Sequence, residues 1–256
     1  MAERGSAVEE GVRDCAPGLP PFRLNAALDV ARLRADFAER RRAQVADFLE
    51  AECAAALLRE LRARGDWRQV VNSGAQVYDL DRSTRALMSP QEAAALDEAV
   101  YAGARTGFQH RYEAIRVPDE EPARRASCDP LAAFASFLSD GEAREFLRTV
   151  TGFGEIDFAD AQATAYAPGD FLTAHDDAVE GKGRLAAYVL SLTAGWRAEW
   201  GGNLLFHSAD GLSVDGYVPR FNTLNLFAVP QVHSVSIVSR AAPWRRYSVT
   251  GWLRSR

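Results

Sequence analysis

Lysine is almost missing from this chain. Lys182 is the single one among 30 basic residues, so the positive charge is carried almost wholly by arginine. With 35 acidic residues the formal charge is −5. The arginines are scattered rather than gathered into a tract that could follow a phosphate backbone, which argues against nucleic acid as a direct partner. Cysteine is scarce too. Cys15, Cys53 and Cys128 are odd in number, far apart and without a CxxC pair, so neither a zinc knuckle nor a disulfide framework is expected. No apolar run is long enough to span a bilayer, and residues 1–21 lack the apolar stretch of a secretion signal. A membrane partner is therefore not expected, and a reducing, cytoplasmic setting is. Histidine is confined to His110, His175, His207 and His233, which limits imidazole chemistry to four positions.

What is present suits a folded domain. At 256 residues, 47% hydrophobic and 25% charged, the chain has the apolar content to bury a core and no bias toward disorder. Residues 1–21 read as a mobile leader and 22–256 as one domain, with helical support over 22–153 and a β-rich core over 154–256. Helical spacing runs through 27–40, and an Ala/Leu-rich helix over 50–64 stops at Gly65. Residues 43–49 suit a short strand. Residues 65–88 read as irregular. Ser89-Pro90-Gln91-Glu92 opens a further helix on a capping box, with proline just inside it. Residues 118–130 read as a surface loop, followed by short helices over 131–138 and 141–150.

After Gly154 the pattern becomes β-rich, with runs at 159–166, 170–177, 183–193, 203–207, 212–218, 222–228, 232–238 and 246–253 broken by Gly, Pro, Asp and Asn. About eight short strands at this spacing indicate a sandwich or barrel. Helices first and strands second predict an α+β fold: a double-stranded β-helix, or jelly roll, braced by N-terminal helices that cover one sheet and its edges.

The chemistry concentrates in Y-A-P-G-D-F-L-T-A-H-D-D, residues 166–177. In a strand, residues i and i+2 project to the same side, so His175 and Asp177 can reach one ion while Asp176 points away. One more neutral imidazole would complete two histidines and one carboxylate on one face of an octahedron, the arrangement of non-haem Fe(II) oxygenases. His233, in the strand-like V-H-S-V-S-I-V, is the best candidate; His207, at the end of N-L-L-F-H, is the runner-up. Taken singly, each of these residues also suits a purely structural role.

In order, Y-A-P-G-D-F-L-T-A-H-D-D, G-R-L-A-A-Y-V-L-S-L, W-G-G-N-L-L-F, F-N-T-L-N-L-F-A-V-P-Q-V-H-S-V and R-Y-S-V-T-G-W resemble the 2-oxoglutarate- and Fe(II)-dependent prolyl hydroxylases over roughly residues 155–254. The look is nearest to the ribosomal-protein prolyl hydroxylases and their bacterial relatives. The resemblance implies His175, Asp177 and His233 as iron ligands, Arg246 as partner of the distal carboxylate of 2-oxoglutarate, and Tyr166 as a tyrosine near that cosubstrate. It implies Fe(II), 2-oxoglutarate and O2, with ascorbate as a supporting reductant, and hydroxylation of a prolyl residue in a protein partner, with release of succinate and CO2. A ribosomal protein or translation factor is the expected kind of substrate. A free amino acid or small metabolite is the alternative, and a non-catalytic jelly-roll binding module a third. Guanidinium suits the distal carboxylate because it stays charged and pairs through two parallel hydrogen bonds.

Two departures stand out. Where the family often carries a tyrosine in a Y-L-N-like run, this chain has Ser191-Leu192-Thr193, leaving Ser191, Tyr188 and Thr193 as candidates for the missing hydrogen bond. Asn203 follows Gly201-Gly202 where Glu or Thr is frequent. Substrate recognition is expected from loops at 73–84, 117–129 and 176–184, and Trp196, Trp200 and Trp252 are expected to pack.

Overall fold

Residues 20–255 are described in this computed structural model, so the expected leader lies outside them except for its last two positions. The N-terminal half contains α1 (Val30–Arg40), β1 (Arg42–Ala46), α2 (Ala51–Ala63), β2 (Arg68–Ser73), β3 (Gln76–Asp81), α3 (Arg82–Leu87), α4 (Pro90–Thr106), β4 (His110–Arg116), α5 (Glu121–Ala126), α6 (Pro130–Ser139) and α7 (Gly141–Thr151). The C-terminal half contains β5 (Phe158–Ala159), β6 (Gln162–Tyr166), β7 (Phe171–His175), β8 (Arg184–Ser191), β9 (Leu204–His207), β10 (Val214–Tyr217), β11 (Thr223–Ala228), β12 (His233–Val235) and β13 (Arg246–Arg254).

The strands form one curled antiparallel sheet in the order β1-β11-β8-β13-β6-β4-β7-β12-β9-β10, with the β2–β3 hairpin attached to β4 and β5 to β13. This is the expected α+β jelly roll. Period-two alternation gives its broad half two different faces. Ala163, Ala165, Tyr188, Leu190, Leu224, Leu226, Val249 and Leu253 point outward into a core shared with Leu33 and Phe37 of α1, Leu57 and Leu61 of α2, Phe134 of α6 and Leu147 of α7. Burying each of the larger of these side chains contributes about 1.5–3 kcal/mol. The many alanines on the sheet side let the helices approach closely. On the other face Ala187, Val189 and Phe227 meet Leu204 and Phe206 of β9, so the sheet closes over its own interior.

The capping box forms as expected: Glu92 N–H donates to Ser89 Oγ at 3.2 Å, and Ser89 N–H donates to the Glu92 carboxylate at 2.8 Å. Helix α2 stops one residue before Gly65, at an extended Arg64. Three expectations are corrected. Residues 65–88 are ordered as the β2–β3 hairpin and α3; β2 is buried at four successive positions and β3 is mostly exposed, so neither shows the alternation that marks a half-buried strand. Strand β4 had no counterpart in the sequence reading. Residues 118–130 contain α5, too short for periodicity to register, and its Arg124 is buried because Nε donates to the Pro118 carbonyl at 2.7 Å and Nη2 to the Ala159 carbonyl at 2.9 Å. Cys53 is a buried free thiol.

Candidate metal centre and cosubstrate pocket

Inside the curl lies a cavity of about 570 Å³ whose lining includes His175, Asp177, His233, Tyr166 and Arg246, every site residue read from the sequence. Antiparallel pairing of β7 and β12 sets His175 directly opposite His233. The reason for Asp177's orientation differs from the expected strand alternation. β7 ends at His175, and Asp177 lies beyond it in the left-handed region, at φ 63°. Aspartate tolerates this conformation better than most residues. Its carbonyl accepts a hydrogen bond from Arg184 Nη1 at 2.9 Å, and the Arg184 guanidinium stacks 3.5 Å from the centre of the Trp252 ring. Asp176 instead folds back to accept the Ala178 amide and is exposed.

Both imidazoles are oriented by main-chain carbonyls. His175 Nδ1 lies 3.0 Å from Thr173 O, and His233 Nδ1 lies 2.8 Å from Gln231 O. A carbonyl only accepts, so each Nδ1 carries the proton and each Nε2 presents a lone pair. Those Nε2 atoms each stand 3.4 Å from an oxygen of Asp177, and the three side chains offer ligand atoms within 4.8 Å of one another. Burial, with the neighbouring His175, pushes His233 down to about 4. On Asp177, burial acts upward, but the two histidines outweigh it and hold the carboxyl below its usual range. On His175, burial acts downward and is outweighed by Asp177, so the net shift is upward. Two neutral nitrogens and one carboxylate suit Fe(II) or a similar divalent ion. His207 is not part of the cluster, because its Nε2 lies 2.8 Å from Ser234 Oγ.

Elsewhere in the cavity, Arg246 is 2% exposed and its Nε has no hydrogen-bond partner. Its guanidinium lies over the Tyr166 ring, 5.0 Å from the centroid, and Tyr166 stacks on Tyr112 at 5.2 Å. Among the described residues no carboxylate pairs with it. Burial lowers its pKa, yet a guanidinium stays charged. An unpaired buried cation is costly, by several kcal/mol as an order of magnitude, and an anionic ligand relieves that cost. The left-handed pair Gly201-Gly202 makes room: a Cβ at 202 would lie 3.1 Å from Arg246 Cδ, and one at 201 would strike the Ile237 carbonyl. The guanidinium without a carboxylate partner and the N,N,O donor set therefore fit a dicarboxylate cosubstrate and a divalent ion.

Of the three candidates for the missing hydrogen bond, two are committed elsewhere. The Tyr188 hydroxyl donates to the Asp160 carbonyl at 2.8 Å, and Thr193 exchanges hydrogen bonds with the backbone of Tyr247 at 3.0 Å each way. The Ser191 hydroxyl is buried without a partner. Trp196 and Trp200 pack together as expected, whereas Trp252 lines the cavity. Sequence reasoning missed His110 and Tyr112 of β4, which line the same cavity, although the spacing of Phe108, His110 and Tyr112 carries the alternation that could have found them. Of the three expected recognition loops, 73–84 and 176–184 reach the cavity through Val77, Val179 and Arg184, and 117–129 does not.

Residues 161–254 match the family model described as 2OG-Fe(II) oxygenase superfamily, a span that contains all five site residues. Over that span the chain is similar to this superfamily. Prolyl 3-hydroxylase OGFOD1 of Xenopus laevis is 34% identical over 116 residues, 43% of this chain and 22% of that protein. The chain thus spans about a fifth of the length of the curated relative it matches. Among solved structures, a Pseudomonas putida prolyl-4-hydroxylase is 24% identical with a TM-score of 0.54, covering 89% of this chain and 99% of that one. A Trichoplax adhaerens prolyl hydroxylase, solved with a hypoxia inducible factor oxygen degradation domain peptide fragment, is 14% identical with a TM-score of 0.53, covering 88% and 89%. At these identities the two structures establish the fold.

Proposed function

We propose that this protein is a 2-oxoglutarate- and Fe(II)-dependent dioxygenase that hydroxylates a prolyl residue in a protein, with release of succinate and CO2. The observation that carries the reading is a single cavity holding both the His175, Asp177 and His233 donor set and the buried cation of Arg246, which no carboxylate among the described residues pairs. Bound by that donor set, Fe(II) would supply the redox chemistry that couples oxidative decarboxylation of 2-oxoglutarate by O2 to oxidation of a substrate C–H bond. His175 and His233 keep their lone pairs aimed through their carbonyl partners. Asp177 balances charge, Arg246 receives the distal carboxylate, and Tyr166 backs the guanidinium. The curled sheet excludes bulk water around them.

The mouth supports a macromolecular substrate. Val77, Phe108 and Val179 line the cavity and are each about half exposed, so an apolar rim surrounds the entrance in place of a closed lid. An apolar pyrrolidine ring on an exposed peptide segment suits that rim. The relatives named prolyl hydroxylases favour the same residue type, and a ribosomal protein or translation factor is the substrate class we favour. The test adds Fe(II) and 2-oxoglutarate to anaerobic protein and follows the charge-transfer band of the chelate, with His175→Ala as control. A band absent from the variant, followed by lysate peptides that gain one oxygen at proline, is the expected result. A well-folded, iron-loaded protein without the band overturns the oxygenase reading, and oxygen gained only by small molecules overturns the protein substrate.

A further inference from the structure

The hollow interior does not end at the metal chamber. Through Val77, Tyr112, Gln162 and Trp252 its wall continues into a second hollow of about 360 Å³, which continues through Val70 and Arg116 into a third of about 410 Å³. Three strands in register build the floor. Tyr112 of β4 pairs with Val70 of β2 and Val70 with Asp79 of β3; two residues along, Ala114, Arg68 and Asp81 align in the same way. The back of these strands is covered, since Val71 packs on Val100 of α4 and Glu113 is held by the arginines of α3. The front is bare: none of the residues lining the second and third hollows belongs to a helix. Strand β4 is seven residues long, so the strip runs roughly 20 Å at about 3.4 Å per residue, room for a short extended peptide.

Charge along the strip is out of balance. Each acid in its lining already has an arginine. Asp66 accepts from Arg64 Nη2 at 2.6 Å, Asp79 from Arg116 Nη1 at 2.7 Å, and Asp119 and Asp160 share Arg254 Nη1 at 3.4 and 3.3 Å. Arg184 is held by the Trp252 ring and the Asp177 carbonyl. Two cations remain. Lys182 in the second hollow and Arg68 in the third are exposed, and among the described residues neither side chain has a hydrogen bond or an ion pair. Asp81, opposite Arg68, turns its carboxylate to the Ser83 hydroxyl at 2.6 Å and the Thr84 amide at 2.7 Å. In a chain of net charge −5, a strip with paired acids and two cations left over favours an anionic occupant. A nucleic acid backbone fits less well, because Asp66, Asp79 and Asp119 stand among the cations and would face its phosphates.

We propose that this strip binds the segment of the protein substrate that flanks the oxidised residue, and that the segment is acidic, with one carboxylate side chain on Lys182 near the metal chamber and another on Arg68 farther out. The inference rests on the function proposed above and names the class of its substrate.

The experiment measures fluorescence anisotropy of dye-labelled peptides on anaerobic protein loaded with Fe(II) and 2-oxoglutarate. The peptides share an Ala/Gly host with one central proline and carry Glu, Gln or Lys at the flanking positions. The Glu peptide is expected to bind about fivefold or more tighter than the Gln peptide, as for two exposed ion pairs, with an advantage that shrinks as salt is raised. The double variant Arg68→Glu, Lys182→Glu should reverse the order in favour of the Lys peptide, while the chelate band and 2-oxoglutarate affinity stay at wild-type values. Equal binding of the Glu and Gln peptides to wild type overturns the proposal, as does a preference that survives in the double variant. A single-stranded oligothymidylate of the same charge that binds more tightly than the Glu peptide overturns it in favour of a nucleic acid. The chelate band keeps the two readings apart: present without a charge preference, it overturns this proposal alone; absent from well-folded wild type, it overturns the oxygenase reading and this proposal with it.

Discussion

His175 and His233 each place Nε2 3.4 Å from the carboxylate of Asp177, and each Nδ1 is already bonded to a main-chain carbonyl. Because the backbone holds the tautomer, a variant that removes one ring should lose the ion without collapsing the strand that carried it. His233→Ala is expected to weaken Fe(II) binding by at least about a hundredfold, more than the loss of a supporting hydrogen bond would. His207→Ala should bind iron as wild type does and lose about 1 kcal/mol of stability with its Ser234 hydrogen bond. An anaerobic iron titration separates the two, and equal binding by both variants removes His233 from the ligand set. At Arg246 the prediction runs the other way in the two states. Arg246→Met should leave the ligand-free protein no less stable, since a buried unpaired cation is gone, and should weaken 2-oxoglutarate about 30-fold or more. Unchanged affinity would move the carboxylate subsite elsewhere.

At the scale of elements, β4 links the two halves of the cavity wall, and the face it turns away from the cavity is clamped by charge. Glu113 of β4 is 1% exposed; it accepts from Arg82 Nη2 at 2.9 Å and Arg85 Nη1 at 2.8 Å, both on α3, and lies 3.3 Å from Arg245 Nε beside β13. Burial acts to raise its pKa, but the three arginines outweigh it and hold the carboxyl below its ordinary 4.5. A depressed carboxylate contributes stability that is present above pH 4.5 and lost as the pH falls through the lower folded value. Glu113→Gln should therefore cost about 2–3 kcal/mol at neutral pH. That is below the full value for a buried ion pair, because about a third of each arginine side chain remains in water. In urea unfolding the gap from wild type should narrow below pH 4.5, and a gap of constant size would show that Glu113 is not the titrating clamp.

For the molecule as a whole, the fold places helices on one face of the curled sheet and the cavity on the other, so ligands that fill the cavity act on the native state alone. Fe(II) and 2-oxoglutarate at about a hundred times their dissociation constants should each add about 2.7 kcal/mol to stability, or about 5.4 kcal/mol together. For a chain of this size the melting temperature should rise by roughly 10–20 °C. The rise should vanish in His175→Ala, and its absence in wild type would count against a preformed site.

The sequence by itself determined the order of the candidate donors along the chain and the strands that carry His175, His233 and Arg246, because HxD, the later histidine and R-x-S-x-x-G-W are legible from local spacing. It also determined the helices over α1, α6 and α7 and the capping box at Ser89, where the information is likewise local. The tertiary structure decided what requires two distant segments to meet. It brought His175 opposite His233, turned Asp177 inward through a left-handed backbone, buried Arg124 on carbonyls of another loop, and assembled Thr164, Ser248, Ser191 and Thr223 into one row from four strands. Strand β2 stayed hidden from periodicity for the same reason. Burial on both faces comes from neighbours far away in the chain, and no local pattern records them.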